Sequence, residues 1–365
     1  MCSQVSMRLA WFLQEHPDAK RRAAKGEICF ATLDTWVIWK LTGGETYATE
    51  YSNASSTALY DPFVLQWSSF VCDLLDIPMR IFPPVLDTNA DFGKCEKDLF
   101  GWEIPIRGAA GDQQAAMFGQ GCFDEGDVKL TMGTGAFLDM NVGSKAHASV
   151  NGFYPVIGWK MGNEIVQLAE GCSNTCGDAI QWIKKLNLIS KPSDCDKIAK
   201  NTNSSNGIYF IPGFNGLQSP KMDYSACGAL LGLTLNTTPD SITRAVLESL
   251  AFRNYELYDT LVRETGRKVC TFVCDGGVSE SEFILQMSAN LIGRSVDRRS
   301  HKEMSALGVA FFAGLACKVW KSKEELRELI ETRDSFVPDE GAREEQLRTY
   351  ERWERATIRS MNWYM

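Results

Sequence analysis

Two glycine-rich stretches constrain this 365-residue chain more tightly than its bulk composition does. The first, Gly108-Ala-Ala-Gly-Asp-Gln-Gln-Ala-Ala116, follows the apolar Ile106 and delivers Asp112 at a glycine-bounded turn. A carboxylate placed there can face a cleft instead of a core, so Asp112 is a candidate general base. The second, Thr131-Met-Gly-Thr-Gly-Ala-Phe137, joins the β-rich runs 128–132 and 136–142. Without side chains at Gly133 and Gly135, backbone N–H groups can approach an anion closely, and the Thr134 hydroxyl adds a donor. A positioned base beside an anion-holding hairpin suits phosphoryl transfer.

Elsewhere the pattern alternates between strand and helix. Residues 6–14 and 34–41 have helical periodicity, with Leu9, Phe12 and Leu13 on one side of the first, and 45–49 alternates like a short strand. Residues 67–75 suggest a helix, and 104–110 a strand presenting Asp112. Residues 152–160 and 164–169 add strand, and Gly171 is expected to open a helix running to Lys185. The stretch 190–205 is polar, without clear periodicity, and expected to be a surface excursion. Thr238-Pro239-Asp240 starts a helix strongly, because Thr caps it, Pro fits the first turn and Asp complements the dipole; Gly266 ends it. A buried strand at 270–274, the turn Gly276-Gly277 and a helix from Phe283 form a strand, glycine turn, helix unit that favours a nearby phosphate. Residues 306–319 form a small-residue helix and 340–359 a charged terminal one. The mixture argues for an α/β fold, and the length for two domains.

Composition narrows the partners. A net charge of −8 and the absence of any long basic run argue against nucleic acid. Twelve cysteines are scattered without a Cys-x-x-Cys pair, and only three histidines accompany them. Cys172/Cys176 are expected on one helix face and Cys270/Cys274 on one strand face, as buried free thiols rather than metal ligands. No apolar leader and no membrane-length apolar span is visible, which fits a reducing cytoplasm. Gly-x-Ser-x-Gly and Gly-x-Gly-x-x-Gly are both absent, leaving hydrolase and oxidoreductase readings without support.

Gly111-Asp-Gln-Gln-Ala-Ala116, followed 22 residues after Asp112 by Thr134 in its Gly-Thr-Gly turn, resembles the glycerol kinases of the FGGY carbohydrate kinase family. Asp34–Gly44, Tyr51–Ser55, Cys274–Gly277, Ser305–Ala316 and Arg359–Trp363 resemble that family in the same order, and Gly152–Trp159 with Leu247–Asn254 resemble its glycerol kinase 5 branch. The resemblance implies an actin-like ATPase (ribonuclease H-like) fold of two α/β domains hinged across an ATP cleft. It implies a phosphotransferase using ATP and Mg²⁺ on glycerol or a related polyol. Asp112 would take the proton of the attacking alcohol, Gln113 would bond a second hydroxyl, and Phe137 would wall the carbon backbone. Thr134, with Gly133 and Gly135, would meet the terminal phosphates, Gly177 and Gln181 would line the nucleotide pocket, and Gly277 would meet adenine and ribose. Ser281 stands where bacterial glycerol kinases usually carry Asn, which implies weaker or altered nucleotide binding. Ser3 falls where the family places a Tyr touching glycerol.

The segment from Ser6 resembles one well inside the first domain of these kinases. The expectation is therefore an incomplete first domain, 1–115, and a carboxy-terminal nucleotide-binding domain, 116–365. The strands not represented would carry a first phosphate loop, an acid helping to hold Mg²⁺, and an Arg-Glu pair gripping the polyol; metal ligands stay unassigned. Two alternatives stand beside the glycerol kinase reading: an FGGY kinase for another polyol or sugar, and a non-catalytic, shortened nucleotide-binding product. Homo-oligomerisation is left open.

Overall fold

The computed structural model describes residues 4–364, so Ser3 lies outside the described residues. Its centre is a seven-stranded mixed sheet. The strands are β1 (Val128–Met132), β2 (Ala136–Asn141), β3 (Tyr154–Met161), β4 (Glu164–Ser173), β5 (Phe272–Asp275), β6 (Val296–Arg299) and β7 (Thr332–Phe336). Across the sheet they run β7-β6-β5-β1-β2-β4-β3. The contiguous β6-β5-β1 part is parallel and the β1-β2-β4-β3 part is an antiparallel meander.

Period-2 alternation gives the sheet two buried faces. Val128, Leu130 and Met132 join the larger core, where the helix Pro239–Thr265 packs. That helix begins as expected, with Thr238 and Ser241 forming a reciprocal cap, and stops at Gly266 at φ +64°. The terminal helix Glu340–Ser360 covers its outer side, bringing Trp353 within 5.7 Å of Phe252, ring to ring. On the other face the helices Asp112–Gly119 and Met304–Ala316 cross over Phe118, Phe312 and Trp159. Burying side chains of that size contributes about 2–3 kcal/mol each.

Residues 4–110 form a smaller region against the edge strand β3. Ser55 Oγ accepts from the Ile157 N–H at 2.9 Å, Thr88 Oγ1 from the Lys160 N–H at 3.1 Å, and Lys160 O from the Thr88 N–H at 2.8 Å. Lys160 Nζ also pairs with Asp87 at 2.7 Å. These bonds cover an edge that would otherwise be open to pairing.

Several sequence expectations change here. The strand expected at 45–49 is reduced to Thr49–Glu50, paired in parallel with Val85–Leu86. Residues 104–110 form no ladder strand: they run beside 88–95 with scattered bonds such as Phe92 N–H to Ile106 O, and Asp112 begins a helix. Gly171 lies within β4, because Phe153 packs where its side chain would be, and the helix begins only at Gly177. Phe12 is exposed while Leu13 is buried. The stretch 190–205 contains the helix Asp194–Asn201.

Candidate functional site

The turn between β1 and β2 sits on the amino terminus of the helix Gly177–Lys185. Cys176 N–H donates to Thr134 O at 2.9 Å and Gly177 N–H to Gly133 O at 2.9 Å. A Cβ on Gly177 would stand 2.6 Å from Gly133 O, and one on Gly135 would stand 2.8 Å from Ser173 O, so both glycines are required by close backbone approach. The Gly133 N–H is spent on Gly135 O at 2.8 Å, which removes one of the anion donors expected from the sequence. Thr134 itself is exposed.

Thr134 borders a cavity of about 920 Å³. Gly133, Gly177, Gln181, Gly277 and Ser281 border the same cavity, while Gly135 is buried behind it. A volume of that order holds a nucleotide. No atom lies within 4 Å of where a Gly277 Cβ would be, so the bare backbone there faces open space. Gly276, at φ +86°, lets the turn after β5 pass Met132, whose carbonyl would lie 2.5 Å from a Cβ.

Ser281 is more committed than its sequence position suggests. Its hydroxyl caps the helix Glu282–Ile292, accepting from the Ile284 N–H at 3.2 Å, and donates to the Asp196 carboxylate. Asp196 also accepts from the Phe283 N–H at 3.2 Å, and Lys200 pairs with Glu282 at 2.6 Å. The segment expected to be a surface excursion therefore closes one wall of the cavity. Its apolar stripe of Cys195, Ile198 and Ala199 is too short for periodicity to reveal.

Asp112 opens the helix Asp112–Gly119, which is held at both ends. At its start, Gly111 N–H donates to Ser52 Oγ at 2.7 Å, and Ser52 in turn bonds the carboxylate of Glu50. Glu50 is fully buried and also accepts from the backbone N–H groups of Ser52 and Asn53, the Asn53 amide and Thr88 Oγ1. Burial pushes its carboxyl up to about 7, against the lowering effect of those donors. Further along, Gly119 and Gly308 let the helix cross Met304–Ala316 at backbone contact: a Cβ on Gly308 would lie 1.8 Å from Ala115 O. Ser305 Oγ donates to Asp112 O at 2.8 Å. The Asp112 side chain is exposed, with one carboxylate oxygen accepting from the Gln113 N–H at 2.8 Å.

Beneath Asp112 and Gln113 runs a row of ionisable side chains in cross-strand register: Lys129 on β1 opposite Asp139 on β2, and Asp139 opposite Glu170 on β4. Lys129 and Asp139 are fully buried, with Nζ 2.8 Å from Oδ2. Lys129 also donates to Gln113, at 2.6 Å to Oε1 and 3.1 Å to the backbone O. Burial, then the charge of Asp139, pushes Glu170 up to about 8. Glu170, with Phe137, Cys172 and Tyr154, borders a second cavity of about 510 Å³. One hairpin thus serves both cavities, through Thr134 at its turn and Phe137 on β2.

Sequence reasoning missed Glu50, Lys129, Asp139, Glu170 and Asp196, since each looked like an ordinary charge in its own strand or loop. It also misplaced the cysteine pairs. Cys172 lies in β4 and Cys176 precedes a helix, while Cys270 is exposed and Cys274 buried. Among the described residues no group of three or more His, Cys, Asp or Glu side chains could cage a metal, and no helix is long and apolar enough to cross a membrane.

A twisted mixed sheet with helices on both faces and a nucleotide-sized cavity at a glycine turn defines an actin-like α/β nucleotide-binding fold. The chain belongs to the FGGY family of carbohydrate kinases: the C-terminal domain of that family matches residues 128–317 and the N-terminal domain residues 3–119. It is 47% identical to glycerol kinase 5 of Danio rerio over 99% of this chain and 69% of that protein. It is 39% identical to glycerol kinase 2 of Thermotoga maritima over 98% of this chain and 72% of that one. The crystal structure of Plasmodium falciparum glycerol kinase with ADP superposes with a TM-score of 0.89 at 31% identity, covering 97% of this chain and 71% of that one.

Proposed function

We propose that this protein transfers the terminal phosphoryl group of ATP to a hydroxyl of glycerol, giving glycerol 3-phosphate. The observation that carries the reading is the β1–β2 hairpin, which borders a nucleotide-sized cavity through Thr134 and a second, partly apolar cavity through Phe137. Identity with glycerol kinases along almost the whole chain supports it.

Asp112 accepts the proton of the attacking hydroxyl, and its exposure at a helix start leaves the carboxylate free to reach substrate. Gln113 bonds a neighbouring hydroxyl and Phe137 covers the carbons. Thr134 donates to the terminal phosphates, Gly177 and Gln181 flank the nucleotide, and Gly277 and Ser281 meet its base and ribose. Mg²⁺ neutralises phosphate charge when bound. It is commonly held by one or two carboxylates together with the phosphates, which fits a chain whose described residues form no protein-only cage. The working division is 1–115 and 116–365, a boundary inside the helix that carries Asp112 at its start. Free thiols support a reducing, cytoplasmic setting, and light scattering would test self-association.

The test is incubation with γ-labelled ATP, Mg²⁺ and glycerol, beside Asp112→Asn. Labelled glycerol phosphate from the wild type, reduced about 10³-fold in a variant that still binds ATP, is the expected result. ATP binding without transfer from either protein would leave a nucleotide-binding role and overturn the kinase reading.

A further inference from the structure

All five hydrogen-bond partners that the described residues give the buried Glu50 carboxylate are donors. Oε1 accepts from Ser52 Oγ, from the Asn53 N–H at 2.6 Å and from Asn53 Nδ2 at 2.9 Å. Oε2 accepts from the Ser52 N–H at 2.8 Å and from Thr88 Oγ1 at 3.2 Å. The two hydroxyls relay the charge outward, because each accepts a backbone N–H from another segment: Ser52 Oγ from Gly111 at 2.7 Å, and Thr88 Oγ1 from Lys160 at 3.1 Å. N–H groups cannot accept, so a proton arriving on Glu50 has only those hydroxyls to point at. On Oε1 it turns the Ser52 hydroxyl away, and on Oε2 it leaves Ser52 bonded to a neutral acid. Either way a charge-assisted bond gives way to one about half as strong, and Ser52 Oγ becomes a poorer acceptor for Gly111.

Burial is the main force raising the Glu50 carboxyl to about 7, and the charge of Asp34 adds to it against these donors. Asp34 stands behind Thr49, whose hydroxyl donates to it at 2.7 Å. The other titratable groups on the elements packed around Glu50 are Tyr51, Tyr60, Asp61, the Lys160–Asp87 pair beyond Thr88, and Asp112 beyond Gly111.

We propose that ionised Glu50 is a positioning residue for Asp112: its charge, relayed through Ser52 to the Gly111 N–H, holds the backbone entering Asp112, and a proton on Glu50 slackens that hold and slows phosphoryl transfer. The inference rests on the phosphotransfer reading above. Stability and turnover then run in opposite directions. The proton that favours the folded state at low pH is the one that loosens Asp112, so the Glu50 contribution to stability is lost as pH rises through about 7 while turnover climbs.

The experiment reads kcat with Mg-ATP and glycerol from about pH 5.5 to about pH 9, and follows the Gly111 N–H by NMR of glycine-labelled protein. The proteins compared are the wild type, Glu50→Gln, Ser52→Ala and Thr88→Val. In the wild type kcat should rise about 5- to 10-fold through a step near pH 7, the scale separating a neutral from a charged hydrogen bond, with the KM for ATP flat. The Gly111 resonance should move over the same range. Glu50→Gln and Ser52→Ala should both stay near the low plateau without a step, the second while keeping Glu50 itself. Thr88→Val should keep the step, because its branch ends on the edge strand β3 and not on Asp112. A step that survives in Glu50→Gln or Ser52→Ala, or an active wild type without one, would overturn the inference and leave the kinase reading intact. Should Glu50→Gln fail to fold, Ser52→Ala and the wild-type Gly111 resonance decide: a resonance that does not move near pH 7 overturns the inference. A wild type that binds ATP and transfers nothing at any pH would sink both readings.

Discussion

The region before residue 111 and the region after it solve the same problem with different means. The later one builds a seven-stranded sheet with both faces covered by large buried clusters. The earlier one has ladder strands of two residues, two small buried clusters of its own with a third shared with β3 and β4, and many large apolar side chains in water, including Leu33 at 76%, Phe70 at 75% and Trp102 at 77% exposure. Yet both contribute to the proposed site: the later region supplies the hairpin, and the earlier one supplies Glu50 and Ser52, which hold the backbone entering Asp112. The lesson is that a lightly packed region can still fix the backbone of a neighbouring helix start when a short, buried hydrogen-bond chain carries the constraint.

The comparison breaks most visibly at the helix crossing. Gly308→Val drives a side chain into Ala115 O, so the later region should lose about 3 kcal/mol or more of stability, and phosphate transfer should fall with it. Denaturant unfolding monitored alongside activity checks this; a fully stable variant would show that the crossing is not what fixes Asp112.

Acid titration sharpens the contrast next. Glu50 is raised from its ordinary 4.5 to about 7 in the folded protein. Between those values the folded state holds a proton that the unfolded chain releases, so this group stabilises below about pH 4.5 and that contribution is lost as pH rises through about 7. The loss has an upper bound of about 3 kcal/mol. Glu170, raised to about 8, extends the same sign of dependence in the later region. Glu50→Gln should flatten the decline between pH 5 and 7 that chemical unfolding records, and Glu170→Gln the decline up to about 8. An unchanged slope in Glu50→Gln would mean that its donors keep it ionised throughout.

The smallest effect belongs to the surface. Trp36→Gln and Trp102→Gln, at side chains 53% and 77% exposed, should change stability by less than about 0.5 kcal/mol. Thermal unfolding measures that directly, and a larger loss would show that the earlier region uses these faces.

How much was legible beforehand follows the range of the forces. The long helix was readable because Thr238, Pro239 and Gly266 act within a turn of themselves. The β1–β2 hairpin was readable because Gly133 and Gly135 mark a tight turn, whereas Gly177, Gln181, Gly277 and Ser281, which border the same cavity as Thr134, were reached only through the family resemblance. The reading failed where partners are distant. Gly171 looked like a helix start but is a strand residue under Phe153, and Asp194–Asn201 looked like loose surface but walls the nucleotide-sized cavity.

By itself the sequence determined the turns, the caps, the alternation that separates the two sheet faces and the family motif around Asp112, since each depends on a few adjacent residues and their steric limits. The tertiary structure alone decided that Lys129, Asp139 and Glu170 line up beneath Gln113 and that Glu50 reaches Gly111 through Ser52. Lys129 and Asp139 share one hairpin, but Glu170, Gln113 and Glu50 come from other segments, and only strand register and helix crossing bury them together, where each must find a hydrogen-bond or charge partner.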